Sequence, residues 1–532
     1  MNLPSLDRRA FLASVVAAAA GTAVACGSGN DAASPTTTGA TTDVDAVDTP
    51  PELDLGPTPF LLGVASGDPL PDSVILWTRL VTDLTVANGG LEPTDSGVRW
   101  EVATDREFTD IATDGTSTAI ANLAHSVHVD VQGLEPDTTY FYRFLLGDAV
   151  SAIGRTRTMP KDDATPERFR IGFASCQDYT EGFYAAHRAM AADELDVVFF
   201  LGDYIYETAG TGIRIPLPAK EVETLDDYRL RYASYRSDAD LQACHASAPW
   251  VVTWDDHEVE NNYAGLISQD NAPVEQFTAR RAAAYQAYYE HMPLRLDPPT
   301  GPDFRIYRTI RCGTLAEFFV LDGRQYRTDQ ACNSRQDALV PKDSCPELGD
   351  ADRTMLGAEQ ESWLSDGLEA SDATWKVLAQ QTVMSALVLG NLILNVDQWD
   401  GYPAARQRLL GHVNERGIDN LVVLTGDIHS AGAGVLSTDD GTPVGVEFVG
   451  TSITSSTLAR IVPGGERLLT TESFPGIDYL NVTDHGYGRC TITPTEWTTE
   501  YVMVEGVDRA DAPARVDATL VASAGTPALR RS

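Results

Sequence analysis

Three short stretches set metal-binding side chains directly behind apolar runs. "FFLGDYIYE" presents Asp203 and Tyr206. "WVVTWDDHEVENNY" stacks Asp255, Asp256, His257, Glu258, Glu260, Asn261 and Asn262. "NLVVLTGDIHSAG" supplies Asp427 and His429. A carboxylate such as Asp203 can bridge two cations, and a phenol such as Tyr206 ligates as phenolate once a strongly Lewis-acidic ion lowers its pKa. Hard oxygen donors crowded beside one imidazole repel each other unless cations or hydrogen bonds compensate them. Asp427 and His429, two residues apart, fall on the same side of an extended chain and suit entry into one metal cluster. Each stretch also has a plainer reading, Asp203 as a strand-end cap and the 255–262 cluster as a solvated acidic turn. Taken together they favour a metal site, because accident does not repeatedly place donors at one edge of a sheet. Cys176, at the end of "RIGFASC", closes another apolar run.

The elements that must position these residues follow from the pattern around them. From Phe169 onward the runs "RIGFASC", "DVVFFLGD", "WVVTWDD", "AEFFVLD", "WKVLAQQ" and "NLVVLTGD" read as strands. Helical stretches lie between them: "TEGFYAAHRAMAAD", "EQFTARRAAAYQAYYEHM" and "QESWLSDGLEA". The alternation predicts an α/β layered domain over residues 165–507, with its site beyond the carboxyl ends of the strands. Gly202 and Gly426 give the chain room where it leaves two of those strands. Residues 58–160 show short alternating strands separated by turn signals, which predicts a small all-β sandwich. Within it "GLEPDTTYFYRF" resembles the tyrosine corner of fibronectin-type or immunoglobulin-like domains, with Leu134 and Tyr140 packing, Pro136 fixing the turn and the Tyr140 hydroxyl available to the backbone. "VGVEFVGTSITSS" and "GRCTITPTEWTTEYVMV" add strands, and the Ala/Asp/Arg-rich residues 508–532 read as a weakly ordered tail.

A chain of 532 residues with 43% hydrophobic content can bury a large core. Its net charge of -38 opposes nucleic acids and anionic membranes, so no nucleic-acid surface is expected. The first 26 residues have the layout of a twin-arginine signal: Arg8 and Arg9, then Phe11, Leu12 and a short Ala-rich run. That leader predicts a dealing with the twin-arginine export machinery and an extracytoplasmic location. Its ending, Ala23-Val24-Ala25-Cys26, approximates a lipobox, and lipid on Cys26 would be the chain's only membrane anchor. Residues 27–57, rich in Gly, Ser, Thr, Pro and Asp, read as a disordered tether. Beyond Cys26 and Cys176, an oxidising setting permits disulfides among Cys244, Cys312, Cys332, Cys345 and Cys490; Cys332 and Cys345 bracket a polar loop, and the odd count leaves at least one thiol free.

The order Ser-Cys, Gly-Asp-Tyr-x-Tyr-Glu, Trp-Asp-Asp-His-Glu with two asparagines, and Gly-Asp-Ile-His resembles the PhoD-like alkaline phosphatase/phospholipase D family, a branch of the calcineurin-like metallophosphoesterases. "VLDGRQYR", "EFVGTSITSS" and "DHGYGRCTI" extend the likeness along nearly the whole chain. The resemblance implies a four-layer αββα catalytic domain behind a small immunoglobulin- or fibronectin-like sandwich, with a cluster of Fe3+ and Ca2+. Carried over by motif, Cys176, Asp203, Tyr206 and His429 would hold iron. Asp203 would bridge to calcium, and Asp256, Asn261 and Asp427 would complete the calcium side. Whether Asn261 or Asn262 points inward, and whether Asp255 is a ligand, stay open at this point. His257 would protonate the leaving alkoxide. The implied activity is that of an exported alkaline phosphatase/phosphodiesterase acting on phosphate esters through a metal-activated hydroxide. The alternatives are a phospholipase D-type hydrolase of phospholipids or cell-wall phosphodiester polymers, and a non-catalytic surface binding lipoprotein.

Overall fold

A computed structural model describes residues 59–334, 339–461 and 465–532. The leader (1–26), the lipobox at Cys26 and the tether (27–57) lie outside the described residues.

All six strand runs form strands, and they divide between two sheets. Phe169–Ala174, Val197–Phe200 and Pro249–Val252 run parallel at the centre of a ten-stranded sheet. Ala316–Val320, Trp375–Ala379 and Leu421–Thr425 run parallel in a seven-stranded sheet. Alternation along each strand sends its side chains to two different cores. Val197 and Phe199 join Phe169, Ile171, Phe318, Val377, Val422 and Leu424 in a core between the sheets. Val198 and Phe200 face the other way, against tyrosines of the helices Leu225–Arg236 and Val274–His291. The far face of the second sheet packs on the helices Gly357–Ala370 and Pro403–Arg416. The layers therefore run helix, sheet, sheet, helix. Strands covered on both faces must be apolar throughout, which is why these runs are continuous rather than alternating.

Two segments are tied into the large sheet. The amino-terminal strands share it. Val64–Leu70 pairs in parallel with Pro249–Val252, and Ser73–Arg79 and Ser126–Gln132 follow it, so three strands of the 58–160 segment are the flank of the ten-stranded sheet. Their other face meets the sheet that includes Ser96–Ala103, Ile111–Ala119 and Thr139–Leu146 across a shared core of Val74, Leu76, Val98, Val102, Val129, Tyr142 and Phe144. Local alternation reports that a strand is buried, not which sheet it joins. At the corner, the Glu135 N–H donates to the Tyr140 hydroxyl at 2.9 Å, over buried Leu134.

Residues 508–532 are likewise not a loose tail. Ala514–Ser523 pairs with Glu496–Val504, and Leu529–Arg531 forms the edge of the same sheet. Ala512, Leu520, Val521 and Ala522 are buried, while Ala514–Asp517 at the start of the strand is exposed, so the stretch lacks the continuous apolar run that marks a strand covered on both faces. Cys332 and Cys345 form a disulfide, while Cys176, Cys244, Cys312 and Cys490 are free and buried.

Candidate metal centre

The parallel strands deliver their donors at one common end. Cys176 follows Phe169–Ala174, Asp203 follows Val197–Phe200, Asp255 and Asp256 follow Pro249–Val252, and Asp427 follows Leu421–Thr425. The exits are tight. A Cβ on Gly202, whose φ is +111°, would sit 2.5 Å from the Asp255 Cβ, and one on Gly426 would sit 2.1 Å from Ser175 Oγ. Cys176, Asp203, Asp427 and His429 themselves take φ of 60°, 56°, 66° and 54°, a region that non-glycine residues enter at a steric cost.

Donor atoms of Cys176, Asp203 and His429 lie within 4.8 Å of one another, and so do those of Asp203, Asp255, Asp256 and Asp427. Asp203 belongs to both sets, and its Oδ1 is buried without a hydrogen bond from any described residue. The Tyr206 hydroxyl completes the first set: it donates to Asp203 Oδ2 at 3.0 Å, stands 3.2 Å from His429 Nε2 and accepts from Ser455 Oγ at 2.7 Å. His257 closes a third set with Asp203 and Asp256. Its Nδ1 is 2.6 Å from Glu207 Oε2. The Asn261 N–H donates to Glu207 Oε1 at 2.9 Å, and the buried Asn262 N–H to Asp256 Oδ2 at 2.6 Å. All eight residues expected from the sequence thus gather at this end of the sheets, Asn261 through its place on the loop. His485 instead packs as a buried histidine, its Nδ1 3.0 Å from Ser452 Oγ, and burial pushes its pKa down to about 4.

Electrostatically the acidic groups of the cluster outnumber its positive ones, Arg324 and His257. Burial, reinforced by Asp203 and Asp427, holds the Cys176 thiol well above its usual range. Burial and the neighbouring Asp203 and Cys176 do the same to Tyr206. Asp203 is raised by burial and by Asp256, Glu258 and Asp427, against the pull of His257. Burial disfavours a charged His257, yet Glu207, Asp203 and Asp256 outweigh it and raise the imidazole well above its ordinary value. Groups that cling to protons this way are groups a cation can satisfy.

Several residues hold the centre together in roles that their place in the sequence does not reveal. Glu258 accepts the N–H groups of Asp203 at 3.1 Å, Tyr204 at 2.6 Å and Asp255 at 2.8 Å, lacing two strand exits together. Burial pushes its pKa up to about 7 against those bonds. Arg324, fully buried, donates through Nε to Asp255; its Nη2 is 2.7 Å from Asp397, 3.7 Å from Asp256 and 3.8 Å from Asp427. Asp255 is thereby paired with a guanidinium. Arg327 reaches Asp397 at 2.7 Å, and Gln398 donates to Asp427 Oδ2. Glu207 and Arg324 lie inside stretches quoted above, whereas "NVDQWD", which carries Asp397 and Gln398, belongs to none of them.

Comparison with known proteins points one way. The profile of the PhoD-like phosphatase matches residues 171–501, and that of its N-terminal domain matches residues 46–160. The chain is 46% identical over 491 residues to alkaline phosphatase D of Bacillus subtilis (strain 168), across 89% of this chain and 82% of that protein. A solved structure of PhoD superposes with a TM-score of 0.83 at 46% identity, covering 89% of this chain and 92% of that one. A purple acid phosphatase from yellow lupin (Lupinus luteus) seeds, 12% identical, shares the fold with a TM-score of 0.52 over 82% of this chain and 71% of its own.

Proposed function

The chain belongs to the PhoD-like phosphatase family and is a phosphoesterase hydrolase, and on that premise we propose that it is an exported alkaline phosphatase/phosphodiesterase built on a mixed iron and calcium centre. The observation that carries this reading is the pair of donor sets sharing Asp203, with its Oδ1 left without a hydrogen bond from any described residue. The chemistry of the two sets differs in the right sense. Thiol, phenol and imidazole from Cys176, Tyr206 and His429 suit a ferric ion, and the oxygens of Asp256, Asp427 and Asn261 suit calcium, with Asp203 between them. Asp255, engaged by Arg324, is assigned to support rather than ligation.

Bound there, the cations supply charge for the phosphate oxygens and acidify the attacking water. The protein's own part is positional. Carboxylates at three strand ends fix where the ester's phosphate sits, and the buried surroundings strengthen each charge interaction. His257, placed beside Asp203 and Asp256, protonates the departing oxygen. The twin-arginine leader supports export to the extracytoplasmic side, with lipid at Cys26 as anchor. The tyrosine-corner bond supports reading residues 58–160 as immunoglobulin- or fibronectin-like in origin.

The test is hydrolysis of p-nitrophenyl phosphate and its bis-ester by protein recovered after export, with and without calcium chelation, alongside elemental analysis. Calcium-dependent turnover with one iron per chain is expected. Two zincs and no iron would sink the assignment of Cys176 and Tyr206, and no hydrolysis of either ester would sink the enzymatic reading of substrate.

A further inference from the structure

The Cys332–Cys345 disulfide closes a small module that stands against one side of the centre. Its core is slight: Ala331, Val340, Cys345, Ile393 and Val396. Val340–Pro341 pairs with Leu392–Ile393, and the Cys332 N–H donates to Glu347 Oε2 at 2.6 Å. So few buried side chains hold a unit weakly, and small units of this kind lean on a covalent staple. Both arms of the module run into the supports of the centre. Two residues ahead of Cys332, the buried Gln330 amide donates to Asp397 Oδ1 at 2.6 Å and to the Asn262 carbonyl at 2.8 Å. The other arm leads through Ile393 and Val396 to Asp397, which also accepts from Arg324 at 2.9 Å and Arg327 at 2.7 Å, and to Gln398, which donates to Asp427 Oδ2. The Asn262 N–H in turn donates to Asp256 Oδ2. These tethers end on or beside Asp256, Asp427 and Asn261. The thiol, phenol and imidazole side of the centre stands on a different segment: Tyr206 accepts from Ser455 Oγ at 2.7 Å, and His429 Nδ1 is 3.0 Å from the Ser456 carbonyl.

We infer that the Cys332–Cys345 disulfide sets the calcium affinity of the centre. Oxidised, it holds Gln330 and the Val396–Gln398 segment in place; reduced, it frees a loop closed across 13 residues, and the calcium side slackens while the iron side stays. The inference rests on the proposed assignment of Asp256, Asp427 and Asn261 to calcium. Forming the bond takes two electrons and two protons from the two thiols. A small disulfide oxidant receives them: its own S–S bond breaks through a mixed disulfide and leaves as two thiols. Cys332 is only partly buried and is open to such an oxidant, whereas the other four cysteines among the described residues are buried free thiols. Disulfides persist outside the reducing cytoplasm, so a chain carrying a twin-arginine leader takes the slack form inside and the tight form after export.

The experiment measures calcium binding by titration calorimetry on the iron-loaded, exported chain. Four forms are compared: the oxidised parent, the parent reduced with a phosphine, the double variant Cys332→Ser/Cys345→Ser, and Gln330→Met with the disulfide intact. Iron content and Tm are recorded for each. The expected result is a calcium Kd about 10-fold weaker in all three altered forms, with iron content unchanged. Oxidised glutathione restores the reduced parent but not the serine pair, and phosphine leaves the serine pair as it was, which separates the disulfide from any reduction of the iron itself. A calcium Kd that stays at the parent value in any of the three altered forms overturns the inference, even where Tm falls, because the bond is then a staple of the fold alone. Loss of iron in step with calcium overturns it too, since the whole centre has then loosened. An oxidised parent that binds no calcium overturns the calcium assignment itself.

Discussion

Among the described residues the Cys176 thiol makes one hydrogen bond, donating to Ser175 Oγ at 3.1 Å; it sits at positive φ and is held protonated by its surroundings. Strain of this kind, of order 1–3 kcal/mol per residue, persists where something else over-determines the geometry. Cys176→Ser is therefore expected to keep the fold, with Tm close to that of the parent, and to lose iron and most turnover; elemental analysis beside a melting curve reads both. The aspartates make a second prediction. Asp203 and Asp255 have pKa values raised in the folded, metal-free chain, by burial first and then by neighbouring carboxylates. Between the unfolded and folded values the native state holds protons that the unfolded chain has lost, so stability falls as pH rises. Chelated protein should accordingly melt at a lower temperature at pH 9 than at pH 6, and added calcium should remove most of that difference.

Among the elements, the strands that carry ligands were legible because burial on both faces makes them continuous apolar runs ending in donors. Three helices were legible from their length and composition, while Leu225–Arg236, Ala239–Ser247 and Pro403–Arg416 went unread. What joins the ends was not. Arg324 lies 69 residues from Asp255 and 73 from Asp397, and such pairings leave no trace in local periodicity. The same holds for Glu258, whose three N–H bonds come from two separate strand exits. A buried guanidinium facing several carboxylates carries a definite energetic signature, because removing one partner strands the others. Arg324→Met should cost about 3–5 kcal/mol of stability, read by denaturant unfolding. Adding Asp255→Asn to it should restore part of the loss, since the pair acts as one unit in a double-mutant cycle.

At the scale of the molecule, ten strands drawn from residues 64–531 share one sheet, and the centre lies where its middle strands and Leu421–Thr425 of the second sheet end. The sequence divided that sheet into sandwich, catalytic domain and tail because composition changes along it, while hydrogen bonding does not. Truncation after Val507 should therefore not be a neutral trim. It removes Ala514–Ser523 and bares the Glu496–Val504 edge, so the shortened chain is expected to aggregate or melt well below the parent, as light scattering during a thermal ramp would show.

The pairing of Val64–Leu70 with Pro249–Val252 also has a mechanical side. That first strand is held by Ser73–Arg79 on one side and, at Ser66 and Gly67, by the ligand-bearing strand on the other. A pull applied ahead of Pro59 would thus load a strand paired on both sides instead of peeling a free edge. For a chain held by its amino terminus, the point of attachment is braced against the same strand that ends in Asp255 and Asp256.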